Sequence, residues 1–281
     1  MRFSRKLLAV LSAVAVAACS DTNKKGIVAV NPPLAFVRYF NAVGDTLPFD
    51  FRPIDQIEFS TPFLAVPYRA IGLGNFQGYE AKSRHIRVFP NSLDLATTSS
   101  VIFDTTMTLT AGSYYTFLHT GYTRTGASPR VSMTVMTDVF PTPGANIALR
   151  AINVGPDLGA VDIYVTATAT DPLPAAPTFA GVAFKSATPY ITLPPGPAVL
   201  RVFAAGTTSP AIATVTAAPG TAGTPTSNPI AGANVAGSVL TAMVYSKAVP
   251  GSKAEITAGS GVNTAPSLVV WIDRSPPNTA P

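Results

Sequence analysis

The second half of this chain repeats polar residues of the first half in a fixed register. Four residues recur with one constant offset, since 150 − 38 and 162 − 50 both give 112. A repeat of this length matches one small domain, so the pattern predicts two tandem copies of a single folding unit. The repeated residues are Arg38 and Arg150, Asn41 and Asn153, Asp45 and Asp157, and Asp50 and Asp162.

Further matches continue the repeat while their offset drifts, which indicates loops of unequal length. The longest insertion, at 219–229, is rich in Gly, Pro, Thr and Ser and predicts an exposed loop. The further matches are Phe63-x-x-Val66 with Phe179-x-x-Val182, 87–89 with 201–203, 111–113 with 236–238, and Asp138 with Asp273.

The hydrophobic pattern from residue 34 onward is that of strands rather than helices. Short segments rich in Val, Ile, Thr, Tyr and Phe are separated by turn residues, and the chain contains 27 Pro and 21 Gly. We therefore expect an all-β fold with two tandem immunoglobulin-like β-sandwich domains, at 34–140 and 145–275, followed by a disordered tail at 276–281. The predicted strands are 34–40, 85–89, 101–109, 113–120, 131–138, 147–153, 161–165, 199–204, 212–216, 239–246 and 268–273.

The N-terminus has the order of a bacterial export signal. Arg2, Arg5 and Lys6 precede an apolar run at 7–18, which is shorter than the roughly 20 residues that a spanning helix needs. The next residues, Val16-Ala17-Ala18-Cys19, resemble a lipobox, which implies cleavage after residue 18 and acylation of Cys19. The alternatives are an ordinary signal peptide that ends beside a chance cysteine and a short buried helix.

Cys19 is the only cysteine, so no disulfide can form within the chain even in an oxidising compartment. Lipid on Cys19 explains this lone cysteine and predicts stable membrane anchoring. Residues 19–33 then form a flexible tether. By resemblance to proteobacterial sorting rules, Ser20 rather than an aspartate after the cysteine favours the outer membrane. We expect a lipid-anchored cell-envelope protein. The sequence does not indicate whether it lies on the periplasmic or the outer surface of the membrane.

The charge balance argues against nucleic acid as a partner. The chain has 19 basic and 14 acidic residues, and removal of Arg2, Arg5 and Lys6 leaves 16 against 14. This small excess provides no basic stripe that would neutralise a line of phosphates.

The stretch 149–165 resembles the opening of the DUF4397 family, a domain of unknown function. The shared features are an Arg-x-x-Asn strand at 150–153, a Pro-Asp turn at 156–157 and an Ala-Val-Asp-Ile-Tyr strand at 160–164. The resemblance covers most of 147–273 and, more loosely, 34–138. It implies a bacterial envelope or secreted protein, often with tandem copies, and no established enzymatic activity.

The fixed register of the repeated charges suggests pairing between neighbouring strands. We predict ion pairs of Arg38 with Asp50 and of Arg150 with Asp162. The functional alternative is a polar-ligand or calcium site built on Asp45 and Asp50, or on Asp157 and Asp162. EF-hand spacing is absent and no acidic cluster supplies six to eight oxygens, so we predict no metal.

The sequence contains no recognisable catalytic motif. His85 and His119 are the only histidines and lack zinc-ligand spacing, and no Gly-x-Ser-x-Gly elbow presents a serine. The glycines at 72–78 do not fit the dinucleotide fingerprint and predict a loop. We therefore expect no catalytic residues, no cofactor and no enzymatic activity, although a triad around either histidine or an Asp50/Asp55 glycosidase pair stays open.

Two groups of aromatic residues allow a binding hypothesis. If exposed, they would form a platform on which sugars stack, but at strand spacing we favour packing within the fold. The groups are Tyr114, Tyr115, Phe117 and Tyr122, and Tyr190 with Trp271.

These patterns favour a non-enzymatic envelope lipoprotein with a structural, adhesion or interaction role. Its expected partners are the membrane, through lipid on Cys19, and an envelope protein or glycan. The alternatives are a carbohydrate- or peptide-binding module of an envelope complex and, less favoured, an unrecognised hydrolase.

Overall fold

Alternating apolar residues between Pro and Gly turns form strands along nearly the whole described chain. The structure, a computed structural model, describes residues 32–56, 62–72, 75–257 and 261–280. The predicted signal peptide, Cys19 and the tether up to residue 31 lie outside the described residues. Within the described part of the chain, no helix has the length and apolarity needed to cross a membrane.

We call the first eight strands, with one short helix, the N-terminal sandwich. They are β1 (Leu34–Val43), β2 (Phe49–Pro53), β3 (Ala70–Ile71), β4 (Gln77–Glu80), β5 (Ser83–Pro90), α1 (Leu95–Thr98), β6 (Phe103–Thr108), β7 (Tyr114–Gly121) and β8 (Ser132–Asp138).

The remaining strands form the C-terminal sandwich and one small hairpin. They are β9 (Ile147–Asn153), β10 (Val161–Thr166), β11 (Phe179–Val182), β12 (Ile191–Leu193), β13 (Val199–Ala204), β14 (Ala213–Thr216), β15 (Val239–Tyr245), β16 (Ile256–Thr257), β17 (Gly261–Val262) and β18 (Ser267–Arg274), with a 3-10 turn at Lys253–Glu255.

Each sandwich consists of two sheets with corresponding strand orders. In the N-terminal sandwich, β3-β1-β7-β8, with β4 also on β1, faces β2-β5-β6. In the C-terminal sandwich, β12-β9-β15-β18 faces β11-β10-β13-β14. The first strand of each sandwich pairs in parallel with the next-to-last long strand, β1 with β7 and β9 with β15.

The registers of these parallel pairs also correspond. Arg38 lies opposite Thr116, and Arg150 lies opposite Thr241. The sequence repeat is therefore accompanied by a repeat of strand order and register.

The sheet β3-β1-β7-β8 is buried on both of its faces. Val37 and Tyr39 on β1 face the core of the N-terminal sandwich, whereas Phe40 and Ala42 join a separate cluster with residues of the C-terminal sandwich. Ile152 on β9 belongs to the same cluster. Because a strand exposes successive side chains to opposite faces, β1 and β9 are hydrophobic on both sides. The two sandwiches therefore share a third core between them.

The prediction of an all-β sandwich fold is confirmed, and all eleven predicted strands correspond to strands of the structure, with ends shifted by up to three residues. The unpredicted strands are mostly short edge strands. At 219–229 the chain forms a largely exposed loop outside the named strands, as predicted. At 276–281, where the sequence predicts disorder, Thr279 and Ala280 donate backbone hydrogen bonds to Asn228.

Candidate functional site

Two arginines of the repeat lie in the interface between the sandwiches rather than on the protein surface. Arg38 on β1 has no exposed surface, and Arg150 on β9 is 6% exposed. Both side chains point away from the core of their own sandwich, on the face that the strand turns towards the other sandwich. A buried guanidinium needs partners for its charge and its donors, so their contacts define the site.

Arg38 connects its own sandwich to the other one. Its Nε donates to Thr116 Oγ1 at 2.7 Å, and its Nη1 donates to Asp273 Oδ1 at 2.7 Å. Its Nη2 lies 3.5 Å from Asp138 Oδ2. Arg38 is thus held between Asp138, which ends β8, and Asp273 on β18.

Arg150 repeats this arrangement with the sandwiches exchanged. Its Nε donates to Thr241 Oγ1 at 2.8 Å and its Nη2 to Asp138 Oδ1 at 2.7 Å. The hydroxyls of the two threonines also correspond, since Thr116 donates to Asp138 and Thr241 donates to Asp273. We call Arg38, Thr116, Asp138, Arg150, Thr241 and Asp273 the ion network.

Aromatic rings cover both arginines. Phe76 stacks on the Arg38 guanidinium, whose carbon lies 4.4 Å from the ring centre, and Tyr190 stacks on Arg150 at 4.7 Å. The Tyr190 hydroxyl also donates to Asp273 Oδ2 at 2.7 Å. These rings shield the network from water while contributing cation–π attraction.

Burial and charge together shift the pKa values at this site. Desolvation lowers the pKa of Arg150, but the carboxylates of Asp273 and Asp138 outweigh it and leave the pKa above its ordinary value. Burial, with the Asp273 carboxylate adding to it, raises the pKa of Tyr190 well above its usual range. Arg150 therefore remains charged and Tyr190 neutral across the physiological pH range, which suits a structural network rather than proton transfer.

The predicted pairs Arg38–Asp50 and Arg150–Asp162 are wrong. Asp50 accepts from the Ala65 N–H at 2.7 Å and from Asn91 Nδ2 at 3.0 Å. The physical reason is that each arginine and its supposed partner belong to different sheets, with the arginine turned towards the other sandwich. The constant sequence offset reflects two separate structural requirements in each copy, not one contact.

Asp162, like Asp50, accepts hydrogen bonds from neighbouring segments of its own sandwich. It accepts from the Gly181 N–H at 2.7 Å and from the Gly206 N–H at 2.8 Å. Asp162 is 7% exposed and joins the edge strand β11 to the loop after β13. Charge-assisted hydrogen bonds to backbone N–H groups are stronger than neutral ones, so both aspartates anchor the backbone of adjacent segments.

The repeated asparagines join their strand to an adjacent segment. Asn41 Nδ2 donates to the Val66 carbonyl at 2.9 Å, and Asn153 Nδ2 donates to the Val182 carbonyl at 3.0 Å. Each side-chain oxygen accepts from the backbone N–H two residues later, at Val43 and Gly155. The two copies therefore use asparagine identically.

The last repeated pair also binds loops. Asp45 accepts from the backbone N–H groups of Thr123 and Arg124, each with a bond of 2.9 Å, and Asp157 accepts from the Ser246 hydroxyl. These contacts occupy the carboxylates that the calcium alternative requires. Among the described residues, no group of three or more His, Cys, Asp or Glu side chains is placed to hold a metal ion.

The histidines occupy different environments. His119 on β7 is buried, its Nδ1 lies 2.8 Å from the Tyr39 hydroxyl, and burial lowers its pKa to about 3. His85 on β5 is partly exposed, with Nε2 at 2.7 Å from Asp104 Oδ1. A neutral histidine that contacts a phenol in a hydrophobic core is suited to packing.

The aromatic groups are mainly packed into the fold. Tyr115 and Phe117 are buried in the N-terminal core, and Trp271 packs edge-on against Phe40 between the sandwiches. Tyr114 is partly exposed and stacks on Phe36 at 4.7 Å. These contacts favour packing over an open platform for these rings.

Sequence reasoning missed the threonines and Phe76 of this site, and it named Tyr190 only as part of a possible sugar platform. The return of Asp138 as Asp273 gave a signal for the carboxylates, since Asp138 is the last residue and Asp273 the next-to-last residue of the last long strand of a copy. Thr116 and Thr241 are identifiable only once the β1–β7 and β9–β15 registers are known. Asn75, whose Oδ1 accepts from Arg38 Nη1 at 3.2 Å, lies in a segment that the sequence predicts only as a loop.

Comparison with known families supports the resemblance seen in the sequence. The profile of a domain of unknown function, DUF4397, matches residues 35–164. This match supports the family, but it lies mainly on the N-terminal sandwich, where the resemblance in the sequence is looser, and covers only the first two strands of the C-terminal sandwich. No curated protein matches the chain.

Proposed function

We propose that this protein is a non-enzymatic cell-envelope lipoprotein in which two tandem DUF4397-type sandwiches form one rigid body for display or interaction. The observation that carries this proposal is the ion network. Its arginines and carboxylates are committed to bonds between the sandwiches, and such bonds fix the relative orientation of two domains without leaving reactive groups free.

The tandem organisation is supported by more than the sequence offset. The corresponding strand orders, the parallel β1–β7 and β9–β15 pairs, and the corresponding Asp and Asn hydrogen bonds recur in both sandwiches. A shared core and exchanged salt bridges are expected of two copies that fold as one rigid unit rather than as two independent domains.

Metabolic labelling with a palmitate analogue tests the anchor. We expect the wild-type protein to incorporate the label and to fractionate with outer membranes, and Cys19→Ala to be unlabelled and soluble after export. A Ser20→Ala variant is the matched control and should still be labelled. An unlabelled wild type, or a Cys19→Ala protein that stays in the membrane, contradicts the lipoprotein proposal.

The non-enzymatic role needs a separate test. The purified protein should show no turnover above background on a panel of ester, peptide and glycoside substrates. Turnover that disappears in His119→Asn or Asp55→Asn while the fold is retained would instead establish the hydrolase alternative.

A further inference from the structure

The outer face of the β2-β5-β6 sheet carries a group of charged side chains that the ion network does not use. Arg52 on β2 pairs directly with Arg87 on β5, and Arg87 pairs with Asp104 on β6. Directly opposite residues in an antiparallel sheet extend their side chains to the same face, about 5 Å apart at Cβ. The three strands therefore align two guanidinium groups and one carboxylate in a row.

The charges in this row are incompletely paired. Arg87 Nε donates to Asp104 Oδ2 at 2.7 Å, and the other carboxylate oxygen, Oδ1, lies 2.7 Å from His85 Nε2. Within the described part of the chain, Arg52 has neither a hydrogen bond nor an ion pair, and no bond is made by the terminal nitrogens of Arg87. Like charges directly opposite each other destabilise a sheet. Asp104 offsets the charge of Arg87, whereas Arg52 has no such partner within the described part of the chain.

The C-terminal sandwich shows the same positions in a satisfied form. There Tyr164 replaces Arg52 opposite Arg201, and its ring packs edge-on against Phe203 at 5.7 Å. The Arg201 guanidinium donates to the carbonyls of Ala169 and Asp171. The unpaired arginine is therefore a feature of the N-terminal copy alone and is not required by the fold.

The neighbouring side chains suit a sugar polymer. Phe89 is partly exposed on the same face as Arg87. Thr106 and Thr108 on β6 are exposed on the other side of Arg87, where they lie opposite His85 and Ser83. A sheet face with a ring for stacking, hydroxyls for hydrogen bonds and arginine forks for carboxylates is complementary to a chain of acidic sugars.

We propose that this face binds a carboxylate-bearing polysaccharide, with Arg52 and the free end of Arg87 holding one uronate carboxylate between them. Asp104 positions Arg87 by its bond to Nε, and the two terminal nitrogens make no hydrogen bond within the described part of the chain. A planar guanidinium matches a carboxylate with two parallel hydrogen bonds, a geometry that a lysine does not provide. This inference adds a ligand class to the display role and does not depend on the lipid anchor.

Retention on immobilised polygalacturonate tests the proposal with the full-length lipoprotein in detergent micelles. We expect the wild type to be retained in a salt-sensitive manner, and Arg52→Ala to bind about tenfold more weakly, since one charge-assisted contact is lost. Arg52→Lys should recover only part of the affinity. Arg124→Ala, which removes an exposed arginine from the β7–β8 loop, is the matched control and should bind as the wild type does.

Three results would overturn the proposal. They are the absence of wild-type retention, equal weakening by Arg52→Ala and Arg124→Ala, and equal retention on neutral dextran. Stronger wild-type binding to anionic phospholipid vesicles than to polygalacturonate would also reject it, because it would assign the face to lipid headgroups. Thermal melts identical to wild type establish that the exposed Arg52 substitutions leave the fold intact.

Discussion

At the scale of single residues, buried polar side chains in this protein serve as anchors for backbone groups. Asp50, Asp162, Asn41 and Asn153 each satisfy N–H or carbonyl groups at the ends of strands, where the sheet ladders stop. Buried backbone groups must find partners somewhere. A repeated polar residue at a strand end therefore indicates a loop that needs fixing as readily as it indicates a ligand.

Substitution of Asp162 tests this anchoring role. Asp162→Ala removes the acceptor for the Gly181 and Gly206 N–H groups, so we expect the free energy of unfolding to fall by about 2–3 kcal/mol. Asp162→Asn keeps one acceptor oxygen and should lose less. Urea denaturation of both variants measures the difference, and an unchanged midpoint for Asp162→Ala would show that β11 and the loop after β13 do not depend on this carboxylate.

His119 makes stability depend on pH. Its folded-state pKa is about 3 against an ordinary 6.5, so below pH 6.5 the unfolded chain binds a proton that the folded protein does not. Stability is then lost as the pH falls from about 6.5 towards 3. The contribution at pH 4.5 is about 2.5 kcal/mol lower than at neutral pH.

His119→Asn removes this titration. Its urea midpoint should therefore fall less steeply than that of the wild type between pH 6.5 and 4.5, although the variant is less stable at pH 7. Thr108→Ala provides the control at an exposed position on β6 and should keep the wild-type slope. Parallel pH profiles for His119→Asn and the wild type would contradict the assignment.

At the scale of strands and loops, the sequence predicts the long strands but not their partners. The segments 147–153 and 239–246 are largely apolar because each is buried on both faces, and that pattern is visible in the sequence. What covers the second face is not visible, since it depends on a sheet of the other sandwich. Edge strands such as β12, with three residues, carry too short a pattern to be predicted.

In the candidate site, too, the sequence indicates the residues but not their partners. Arg38, Arg150, Asp138 and Asp273 are identifiable as repeated residues, whereas their mutual contacts depend on how two sheets dock. Pairing each arginine with a charge on the next strand leads to Asp50 for Arg38 and to Asp162 for Arg150, because these aspartates are nearer in sequence. The observed partner of Arg38 lies 235 residues away, beyond the reach of any local pattern.

The loop at 219–229 is largely exposed, yet the chain on either side of it packs tightly. A Cβ atom on Gly232 would lie 2.3 Å from the Gly220 nitrogen and 2.6 Å from the Ala218 carbonyl oxygen. Gly232→Ala must therefore separate two backbone segments, and we expect a loss of about 1–3 kcal/mol. Gly196→Ala meets no atom within 4 Å and should change thermal stability much less; equal effects would contradict this packing.

At the scale of the whole molecule, the shared core and the ion network predict cooperative unfolding. Loss of either sandwich would expose the apolar side chains of the third core, including Phe40, Ile152 and Tyr245. It would also leave buried charges without their partners. We expect differential scanning calorimetry to show one transition whose calorimetric and van't Hoff enthalpies agree. Two separate transitions would mean that the sandwiches are stable independently.

A double-mutant cycle tests whether the ion network couples the sandwiches. Arg38→Leu leaves Asp273 and Asp138 with one guanidinium between them, so we expect a loss of about 3–5 kcal/mol, the range for a broken buried pair. Adding Asp273→Asn removes one uncompensated negative charge. The double variant should therefore be more stable, by about 1–2 kcal/mol, than the sum of the single effects predicts.

The control cycle combines Arg38→Leu with Asp162→Asn. Asp162 lies in the C-terminal sandwich and shares no partner with Arg38, so these effects should add within about 0.5 kcal/mol. A coupling confined to Arg38 and Asp273 would identify the exchanged salt bridges as the contacts that hold the two copies in one orientation. Additivity in both cycles would leave the apolar third core as the sole connection and would remove the observation on which the rigid display body rests.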